Sequence, residues 1–463
     1  MTKQSHIHFI GICGVAMSAL AILWKKKGWK VTGSDVGFYP PISTHLEKNN
    51  IEFYPGWHPE KMGMPDLVVV GNVAGSENPE LKHVLENNIP HVSYPELISQ
   101  NLVKENSIVC AGTYGKTSST ALLSLIFKNA LYNPAYMFGG LSLDLEMSAD
   151  HKEDSKWSIL EGDEYKTSRD NLRAKFFSYK PTHLLLTSVE WDHADVYKTA
   201  KDYENAFKEL LSIIPEYGKI VLCSDQKNIQ KIIDKIEPSA PIITYGKNSY
   251  SDYIYSEVEE SKNGLSFVIS HHDESYQITT PVIGSYMAEN ICGAFAMAYE
   301  CGIDPESIIK TVSEFHGLKR RLEKRGEVNG TIIFDDIAHS PTKAKSVLET
   351  LRRIYDGKII AVFEPNTGNR RVEAEKLYDN AFNAADEVVI PEYTKIKKDK
   401  NDLDGLVDAA EIAKWIGKTQ KNTIYLSEDK QFLDYLKQKT QPGNVIVFMG
   451  SHSFRGMIED LLR

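Results

Sequence analysis

The sequence predicts an α/β protein of three domains, and three observations support that prediction. Apolar, strand-like runs alternate with longer helical stretches along the whole chain of 463 residues, which is the pattern of parallel sheets covered by helices. The alternation restarts near residue 105 and again near residue 315. Glycine-containing turns directly follow the first strand of each of the first two parts. We therefore expect domains at 1–105, 106–315 and 316–463.

Composition narrows the class of protein. With 42% hydrophobic and 25% charged residues, the chain is typical of soluble globular proteins. A formal net charge of −10 argues against a nucleic-acid partner or an anionic membrane surface. The five cysteines are scattered and odd in number, which fits a reducing compartment such as the cytoplasm. The apolar run 9–24 is shorter than the ~18 residues of a membrane span, so we expect a buried element there.

The first domain opens with a strand–helix–strand unit. "HIHFI" (6–10) predicts a strand, the turn "GICG" (11–14) follows, and "KVTGSD" (30–35) resumes as a strand after a helical run. As a dinucleotide fingerprint the turn is incomplete, because Cys13 and Ala16 occupy two of its glycine positions. Asp35 nevertheless lies where a ribose-binding acid would. NAD binding and a plain tight turn both remain open from the residues alone.

The second domain begins with "SIVCAG" (107–112), an apolar strand that continues into the loop "GTYGKTS" and a helix. A full phosphate-binding loop has a glycine, four further residues and then Gly-Lys-Thr. Cys110 stands at that first position, and Gly112 comes two residues later. The order of strand, loop and helix still favours nucleotide binding. Lys116 would then face the β- and γ-phosphates, and the Thr117 hydroxyl would ligate Mg²⁺.

Polar residues follow several later strands at the point where each strand ends. They form three clusters: Glu161, Asp163 and Glu164 in "LEGDEY"; Glu190, Asp192, His193 and Asp195 in "SVEWDHADVY"; Asp335, Asp336 and His339 in "FDDIAHSP". The carboxyl ends of parallel strands meet at one edge of a sheet, where Mg²⁺ in phosphoryl-transfer sites finds its oxygen ligands. Any one cluster could be a solvated turn, but two of them after a Gly-Lys-Thr loop predict a metal site.

Five motifs in this order, "GTYGKTSST", "EGDEY", "DHADVY", "GLKRRLE" and "DDIAHSP", resemble those of the Mur ligases of peptidoglycan synthesis. That family uses the shorter loop Gly-x-x-Gly-Lys-Thr/Ser, in which position 110 carries no glycine. The resemblance covers essentially the whole chain. It implies a Rossmann-like first domain for a UDP-sugar, a central P-loop ATPase-like domain with a parallel or mixed sheet, and a Rossmann-like third domain for the incoming amine. It also implies a ligase that uses ATP and Mg²⁺ on small molecules, as a monomer or homodimer without membrane insertion.

The resemblance also implies roles for individual residues. Those expected to be catalytic are Lys116, Glu161, His193 and Arg321. Thr117 and Glu161 are expected to hold one Mg²⁺, and His193 is expected to help hold a second. Those expected to bind ATP are Gly112, Thr113, Tyr114, Gly115, Lys116, Thr117, Ser118, Asn290, Arg321, Asp336 and His339. Those expected to bind the UDP-sugar are Gly11, Ile12, Cys13, Gly14, Ser34 and Asp35. Those expected to bind the peptide are Asn366 and Arg370.

Several positions depart from the family pattern. Tyr114 stands where close relatives have histidine, and Ser340 replaces a second histidine in "AHSP". Tyr286 and Met287 stand where relatives have His-Asn, just before Asn290. The adenine contacts are therefore the least defined part of the expected site.

Two kinds of ligase in this family accept UDP-N-acetylmuramate. One adds L-alanine, and the other adds the tripeptide L-alanyl-γ-D-glutamyl-meso-diaminopimelate recovered from old cell wall. Four segments here resemble the tripeptide branch: "GICG", "VTGSDVGFYPPISTHLE" (31–47), "EGDEYKTSRDNLRAKFFSYKP" and "FEPNTGNRR" (363–371). In the last segment, Thr367 stands where the alanine branch has its first arginine, and Arg370 stands at its second.

We therefore expect the tripeptide as the amine. The alternative within the family is the L-alanine ligase. The alternative from another class is an NAD-dependent oxidoreductase built on the first turn, which would leave Lys116 and "EGDEY" without a role.

Overall fold

A computed structural model of the chain describes residues 4–38, 42–168, 171–193, 196–393 and 405–463. Within these residues the strands form three sheets, of five, ten and six strands, and the predicted α/β class with its three sheets is confirmed. The Tyr-Pro-Pro at 39–41 and Asp195 lie outside the described residues. A search of the described helices found none with the length and apolar character needed to cross a membrane.

The first sheet is parallel, with strand order β3-β2-β1-β4-β5. Its strands are β1 His6–Ile10, β2 Lys30–Asp35, β3 Glu52–Pro55, β4 Leu67–Val70 and β5 His91–Ser93. Its helices are α1 Val15–Lys26, α2 Ile42–Lys48, α3 Pro79–Glu86 and α4 Tyr94–Asn101. β1 is buried along its whole length, and α1 is buried from Met17 to Trp24. The apolar run 9–24 is thus the buried element that its length predicted.

The central sheet has the order β15-β14-β13-β12-β11-β10-β6-β9-β7-β8. Its strands are β6 Asn106–Ala111, β7 Ala135–Met137, β8 Ala149–Asp150, β9 Trp157–Gly162, β10 His183–Leu186, β11 Lys219–Cys223, β12 Ile242–Gly246, β13 Tyr253–Ser261, β14 Gly264–His271 and β15 Glu274–Thr280. Its helices are α5 Lys116–Asn129, α6 Ala200–Ser212, α7 Lys227–Ile233, α8 Tyr286–Glu300 and α9 Pro305–Ser313. The pairs from β7 to β13 are parallel, whereas β7 with β8 and β14 with β15 are antiparallel. The sheet is therefore mixed.

The third sheet has the order β16-β17-β21-β18-β19-β20 and is parallel except for β16. Its strands are β16 Glu323–Val328, β17 Thr331–Asp336, β18 Ile359–Glu364, β19 Glu387–Pro391, β20 Thr423–Leu426 and β21 Val445–Gly450. Its helices are α10 Pro341–Ile354, α11 Ala409–Gly417, α12 Asp429–Lys439 and α13 Met457–Leu462. The central strands β18 and β21 are fully buried and carry the core of this part.

The chain forms two compact units. The first contains nearly all of the first two sheets and ends at Gly317, and the second contains the third sheet and begins at Leu318. The boundary predicted near residue 105 falls inside the first unit, so the three-domain division stays a prediction based on the sequence.

The register of the central sheet determines where the candidate site forms. β6 pairs with β9 and with β10, and Ala111 at the end of β6 lies opposite both Gly162 and Leu186. Because parallel strands end at the same edge, the loops that follow these three strands meet there. Those loops carry the Gly-Lys-Thr motif and the first two acidic clusters.

Candidate active site

The loop between β6 and α5 turns tightly because two glycines adopt conformations that other residues avoid. Gly112 has φ +135° and Gly115 has φ +81°. A Cβ on Gly112 would lie 2.4 Å from the Thr187 hydroxyl oxygen, and one on Gly115 would lie 2.3 Å from Oδ1 of Asn290. Both positions therefore require glycine, for backbone conformation and for space. α5 begins immediately afterwards at Lys116 and directs its first N–H groups towards the loop.

Lys116 folds back over this loop and forms an ion pair with Glu164. Its Nζ lies 2.9 Å from Oε2 of Glu164 and donates to the carbonyl oxygen of Gly112. The Glu164 side chain is only 1% exposed. Burial acts to raise the pKa of Glu164, but the nearby Lys116 and His193 outweigh it and lower that pKa to about 2. Burial acts to lower the pKa of Lys116, and the surrounding carboxylates reverse this and raise it. Both groups are therefore charged at neutral pH.

Thr117 and Glu161 form a second pair next to the first. The Thr117 hydroxyl donates to Oε1 of Glu161 at 2.8 Å, and the backbone N–H of Gly139 donates to Oε2 at 2.6 Å. A hydroxyl and a carboxylate at the start of a phosphate-binding helix are ligands that suit Mg²⁺. The structure thus brings together two of the three predicted metal ligands.

The third predicted ligand, His193, contacts a different carboxylate. Its Nε2 lies 3.6 Å from Oε1 of Glu164. The interaction with the Glu164 carboxylate is the largest cause that raises the pKa of His193, with burial opposing it and Asp192 adding to it. Ligand atoms of Asp163, Glu164 and His193 lie within 4.8 Å of one another, close enough to hold a cation together.

Glu164 is the functional residue that the sequence reasoning left without a role. It belongs to the cluster in "LEGDEY", so its position at a strand end was the available signal. Tyr203 from α6 donates to its Oε1 at 3.2 Å, and the Tyr197 hydroxyl donates to its backbone carbonyl at 2.6 Å. Tyr203 also lies 3.0 Å from the Thr113 hydroxyl of the loop. Tyr197 is the last residue of the motif "DHADVY", although it was given no role there, and no sequence pattern indicated Tyr203.

Lys175 is a second residue without an assigned role. It belongs to Arg173-Ala174-Lys175-Phe176, in the segment after "EGDEY" that resembles the tripeptide branch, and it is 4% exposed. Its ammonium forms an ion pair with Asp163 and lies over the rings of Tyr94 and Tyr165, 5.1 and 5.3 Å from their centroids. This segment therefore places the buried Lys175 ammonium next to Asp163, at the edge of the sheet where Glu164 also lies.

Other residues predicted to bind ATP surround the loop. Tyr114 is 56% exposed and its backbone N–H donates to the Ser188 hydroxyl at 2.9 Å. Ser118 is half-buried in the first turn of α5. Asn290 is buried on α8 and packs against Gly115. Their assignment to ATP stays a prediction.

The turn predicted to bind the UDP-sugar is fixed by the end of β2. The backbone N–H groups of Gly11 and Ile12 donate to the Ser34 carbonyl at 2.8 and 3.0 Å, and that of Cys13 donates to the Asp35 carboxylate at 2.8 Å. The Ser34 hydroxyl donates to the buried Glu80 at 2.5 Å. Ser34 and Asp35 thus hold the backbone of the turn in its conformation. An anion would instead contact the turn itself and the N-terminus of α1.

In the second unit, the predicted nucleotide residues are Arg321 before β16, Asp336 at the end of β17 and His339 just after it. Asp336 accepts hydrogen bonds from the backbone N–H groups of Leu322 and Ala338, at 2.8 and 2.7 Å. Burial raises the pKa of Asp336 and lowers that of His339 to about 4. Arg321 is exposed, and its guanidinium opposes the rise in the pKa of Asp336. Their contact with ATP stays a prediction.

The residues predicted to bind the peptide lie after β18. Asn366 caps a 3₁₀ turn over Thr367–Arg370, with its Oδ1 accepting from the backbone N–H of Asn369 at 3.1 Å. The Arg370 guanidinium donates to the Val407 carbonyl at 3.2 Å and stacks 4.1 Å from the centroid of the Tyr393 ring. Arg370 is thus held in one orientation.

Three family descriptions match the chain in succession. "Mur ligase family, catalytic domain" matches residues 6–104, "Mur ligase middle domain" matches 110–298, and "Mur ligase, glutamate ligase domain" matches 320–452.

Two kinds of relative are similar to nearly the whole chain. The UDP-N-acetylmuramate–L-alanine ligase of Clostridium tetani is 31% identical, over 96% of this chain and 95% of its own. The UDP-N-acetylmuramate–L-alanyl-γ-D-glutamyl-meso-2,6-diaminoheptandioate ligase of Escherichia coli is 30% identical, over 98% and 97%. The crystal structure of a murein peptide ligase from Psychrobacter arcticus superposes with a TM-score of 0.74 at 27% identity, covering 99% of this chain and 98% of its own.

Proposed function

This chain belongs to the Mur ligase family, whose members are ATP-dependent amide-bond ligases, and from that premise we propose its substrates. The acid is UDP-N-acetylmuramate, and the amine is L-alanyl-γ-D-glutamyl-meso-diaminopimelate. The product joins the lactyl carboxylate of the sugar to the amino group of the tripeptide's L-alanine. Family membership leaves no support for the NAD-dependent oxidoreductase.

The first step brings two anions together, the lactyl carboxylate and the γ-phosphate of ATP. A carboxylate oxygen attacks the γ-phosphorus and ADP leaves, which gives an acyl phosphate. Lys116, at the start of α5, would counter the charge of the phosphates, and the glycine loop would present its N–H groups to them. The second step is attack of the tripeptide amine on the acyl carbon, with inorganic phosphate as the leaving group. Positioning and preorganised charge therefore supply most of the catalysis.

Thr117 and Glu161 fit a magnesium ion, because two oxygen donors already lie 2.8 Å apart at the helix start. The ion would neutralise phosphate charge when bound. Asp163, Glu164 and His193 offer a second set of donors. When ATP binds, Glu164 would give up its ion pair with Lys116 and would contact the cation that accompanies the phosphates.

The segment 363–371 is the observation that supports the tripeptide over L-alanine. Thr367 stands where the alanine branch has an arginine that holds the carboxylate of the amino acid close to the acyl phosphate. Losing such a charge-assisted contact costs ~1.5–3 kcal/mol, roughly ten- to hundredfold in affinity. Arg370 remains, oriented by Val407 and Tyr393, and would take a carboxylate farther along the peptide.

Direct competition tests the proposal. The enzyme receives ATP, Mg²⁺, UDP-N-acetylmuramate and equal concentrations of L-alanine and the tripeptide, and the UDP products are separated by mass. We expect the tripeptide product in large excess. A majority of the alanine product would make this chain an L-alanine ligase, as the similarity to the Clostridium tetani enzyme allows.

A further inference from the structure

A second group of metal-ligating side chains lies on the central sheet. It consists of Cys223 at the end of β11, Asp225 just after it, and Glu289 in the first turn of α8. Their ligand atoms, one sulfur and two carboxylate oxygens, all lie within 4.8 Å of one another. We call these three residues the thiol–carboxylate cluster. None of them has a role in the proposed ligase reaction.

The local fold holds each donor firmly. Cys223 is fully buried. Asp225 is anchored at Oδ1 by the backbone N–H and the side-chain amide of Asn248, at 3.3 and 2.6 Å, and at Oδ2 by the backbone N–H of Lys247 at 2.8 Å, which leaves a further lone pair on Oδ2. Burial raises the pKa of Glu289 and also that of the Cys223 thiol, which interacts with the Glu289 carboxyl.

Tyr245 provides an independent observation. Its side chain is 0% exposed, and its hydroxyl has no hydrogen-bond partner among the residues that the structure describes. Tyr245 is the direct strand partner of Cys223, so the two side chains share the face of the sheet that α8 covers. A Cβ on Gly293, one helical turn after Glu289, would come within 3.0 Å of that hydroxyl oxygen. A buried hydroxyl without a partner is costly, and this one belongs to the strand partner of Cys223 and faces α8 one turn from Glu289.

We propose that the thiol–carboxylate cluster binds a thiophilic divalent cation of the zinc class through Cys223, Asp225 and Glu289. The fourth position is a water molecule, to which the Tyr245 hydroxyl donates. A tetrahedral zinc ion with bonds of about 2.0–2.3 Å keeps its ligand atoms roughly 3.5 Å apart. The three ligand atoms, which lie within 4.8 Å of one another, therefore move closer together when the ion binds. The Cys223 thiol proton and any proton on Glu289 pass to solvent.

This site differs from the one proposed for Mg²⁺ in its donor chemistry. Thiolate ligands select zinc-like ions, whereas Mg²⁺ takes hard oxygen ligands. The cluster also ties β11 to the start of α8, the helix that carries Asn290 against the nucleotide loop. A bound ion would therefore stiffen the support of that loop.

Cobalt is the probe, because Co²⁺ bound by a thiolate gives a charge-transfer absorption band in the near ultraviolet. Full-length protein, freed of metal by chelation, is titrated with Co²⁺ in the presence of excess Mg²⁺. We expect one equivalent of the band, and its displacement by Zn²⁺. Cys223→Ser should abolish the band, and Glu289→Gln should weaken Co²⁺ affinity at least about tenfold, since even outer-shell changes cost that much.

Cys292→Ser is the matched control. Cys292 is another buried thiol on α8, but its sulfur faces the carbonyl oxygen of Tyr253 at 3.8 Å, so this variant should keep the band. Absence of the band in the native protein, or a band that survives Cys223→Ser, would overturn the proposal. The readout is independent of ligase activity.

Discussion

At the scale of single residues, the candidate active site depends on Glu164. This one buried carboxylate pairs with Lys116, contacts His193 and accepts a hydrogen bond from Tyr203. A buried charge without a partner is expensive, so each of these contacts also protects the fold. A change at Lys116 therefore acts on catalysis and on stability, and the two effects can be separated.

Lys116→Met should reduce turnover by about a hundredfold or more, because a preorganised charge contact in such a site is worth ~3 kcal/mol. It should also lower the thermal midpoint, since Glu164 is left as a buried anion without its cation. Phosphate release in a coupled assay measures turnover, and calorimetry measures the midpoint.

The double variant Lys116→Met, Glu164→Gln is the control. It removes the uncompensated charge as well, so it should regain most of the thermal midpoint while turnover stays low. Near-normal turnover of the single variant would refute the role of Lys116.

His193 provides a test that depends on pH. The ordinary pKa of histidine is 6.5, and Glu164 holds that of His193 above it. The pair therefore contributes stability in full below about pH 6.5 and loses it as the pH rises through the raised pKa. In metal-free protein, NMR titration should show the His193 pKa falling towards 6.5 in Glu164→Gln. His183, whose pKa burial lowers to about 4, should not move. An unchanged His193 would mean that Glu164 does not control it.

At the scale of elements, the start of α5 depends on the conformation of one glycine. Gly115 and Gly302 have nearly the same backbone angle, φ +81° and +85°, but only Gly115 is crowded. Alanine at either position adopts a left-handed conformation at a cost of about 1–2 kcal/mol. Gly302→Ala should therefore lower the thermal midpoint modestly and leave the KM for ATP unchanged.

Gly115→Ala should raise the KM for ATP at least about tenfold in addition, because its Cβ would displace the side chain of Asn290. Steady-state kinetics of the two variants side by side gives the comparison. Equal effects on ATP would show that the loop tolerates the added methyl group.

The strands that build the site were predictable because each is a short apolar run that ends in a glycine or an acid. β6, β9 and β10 all follow that pattern, and their shared edge follows from parallel pairing. The antiparallel end of the central sheet, β14 and β15, was not predicted. Its strands alternate apolar and polar residues, and the Asn263-Gly264 turn at the start of β14 is a hairpin signal that the prediction did not use.

The pairings inside the site were less predictable than the strands. The resemblance paired Thr117 with Glu161, but no pattern in the sequence indicated that Glu164 contacts both Lys116 and His193. These contacts depend on the direction of each side chain after β9. The loops after β6, β9 and β10 and the helix α6 determine that direction together. The contact of Lys175 with Asp163 could not be predicted for the same reason, because a loop brings the two side chains together.

At the scale of the whole molecule, the predicted substrate contacts are divided between the two compact units. The contacts that hold Lys116 lie within the first unit, and those that hold Arg370 lie within the second. Arg321, Asp336 and His339 of the second unit are also predicted to bind ATP, so the two units do not correspond to one substrate each. A variant at Arg370 should still affect the incoming amine and leave the nucleotide loop of the first unit unchanged. The incoming amine offers the sharper test, because it carries the proposed specificity.

Arg370→Ala should raise the KM for the tripeptide ten- to hundredfold, the equivalent of ~1.5–3 kcal/mol for a lost contact between a guanidinium and a carboxylate. The KM for ATP and the affinity for a nonhydrolysable ATP analogue should stay within about twofold of the native protein, since the nucleotide loop is untouched. Arg455→Ala is the matched control, because Arg455 is already paired with Asp429 at 2.7 Å and should matter much less to the amine. If Arg455→Ala weakens the tripeptide and Arg370→Ala does not, Arg455 supplies the carboxylate contact, and the predicted peptide site moves from the 3₁₀ turn after β18 to the start of α13.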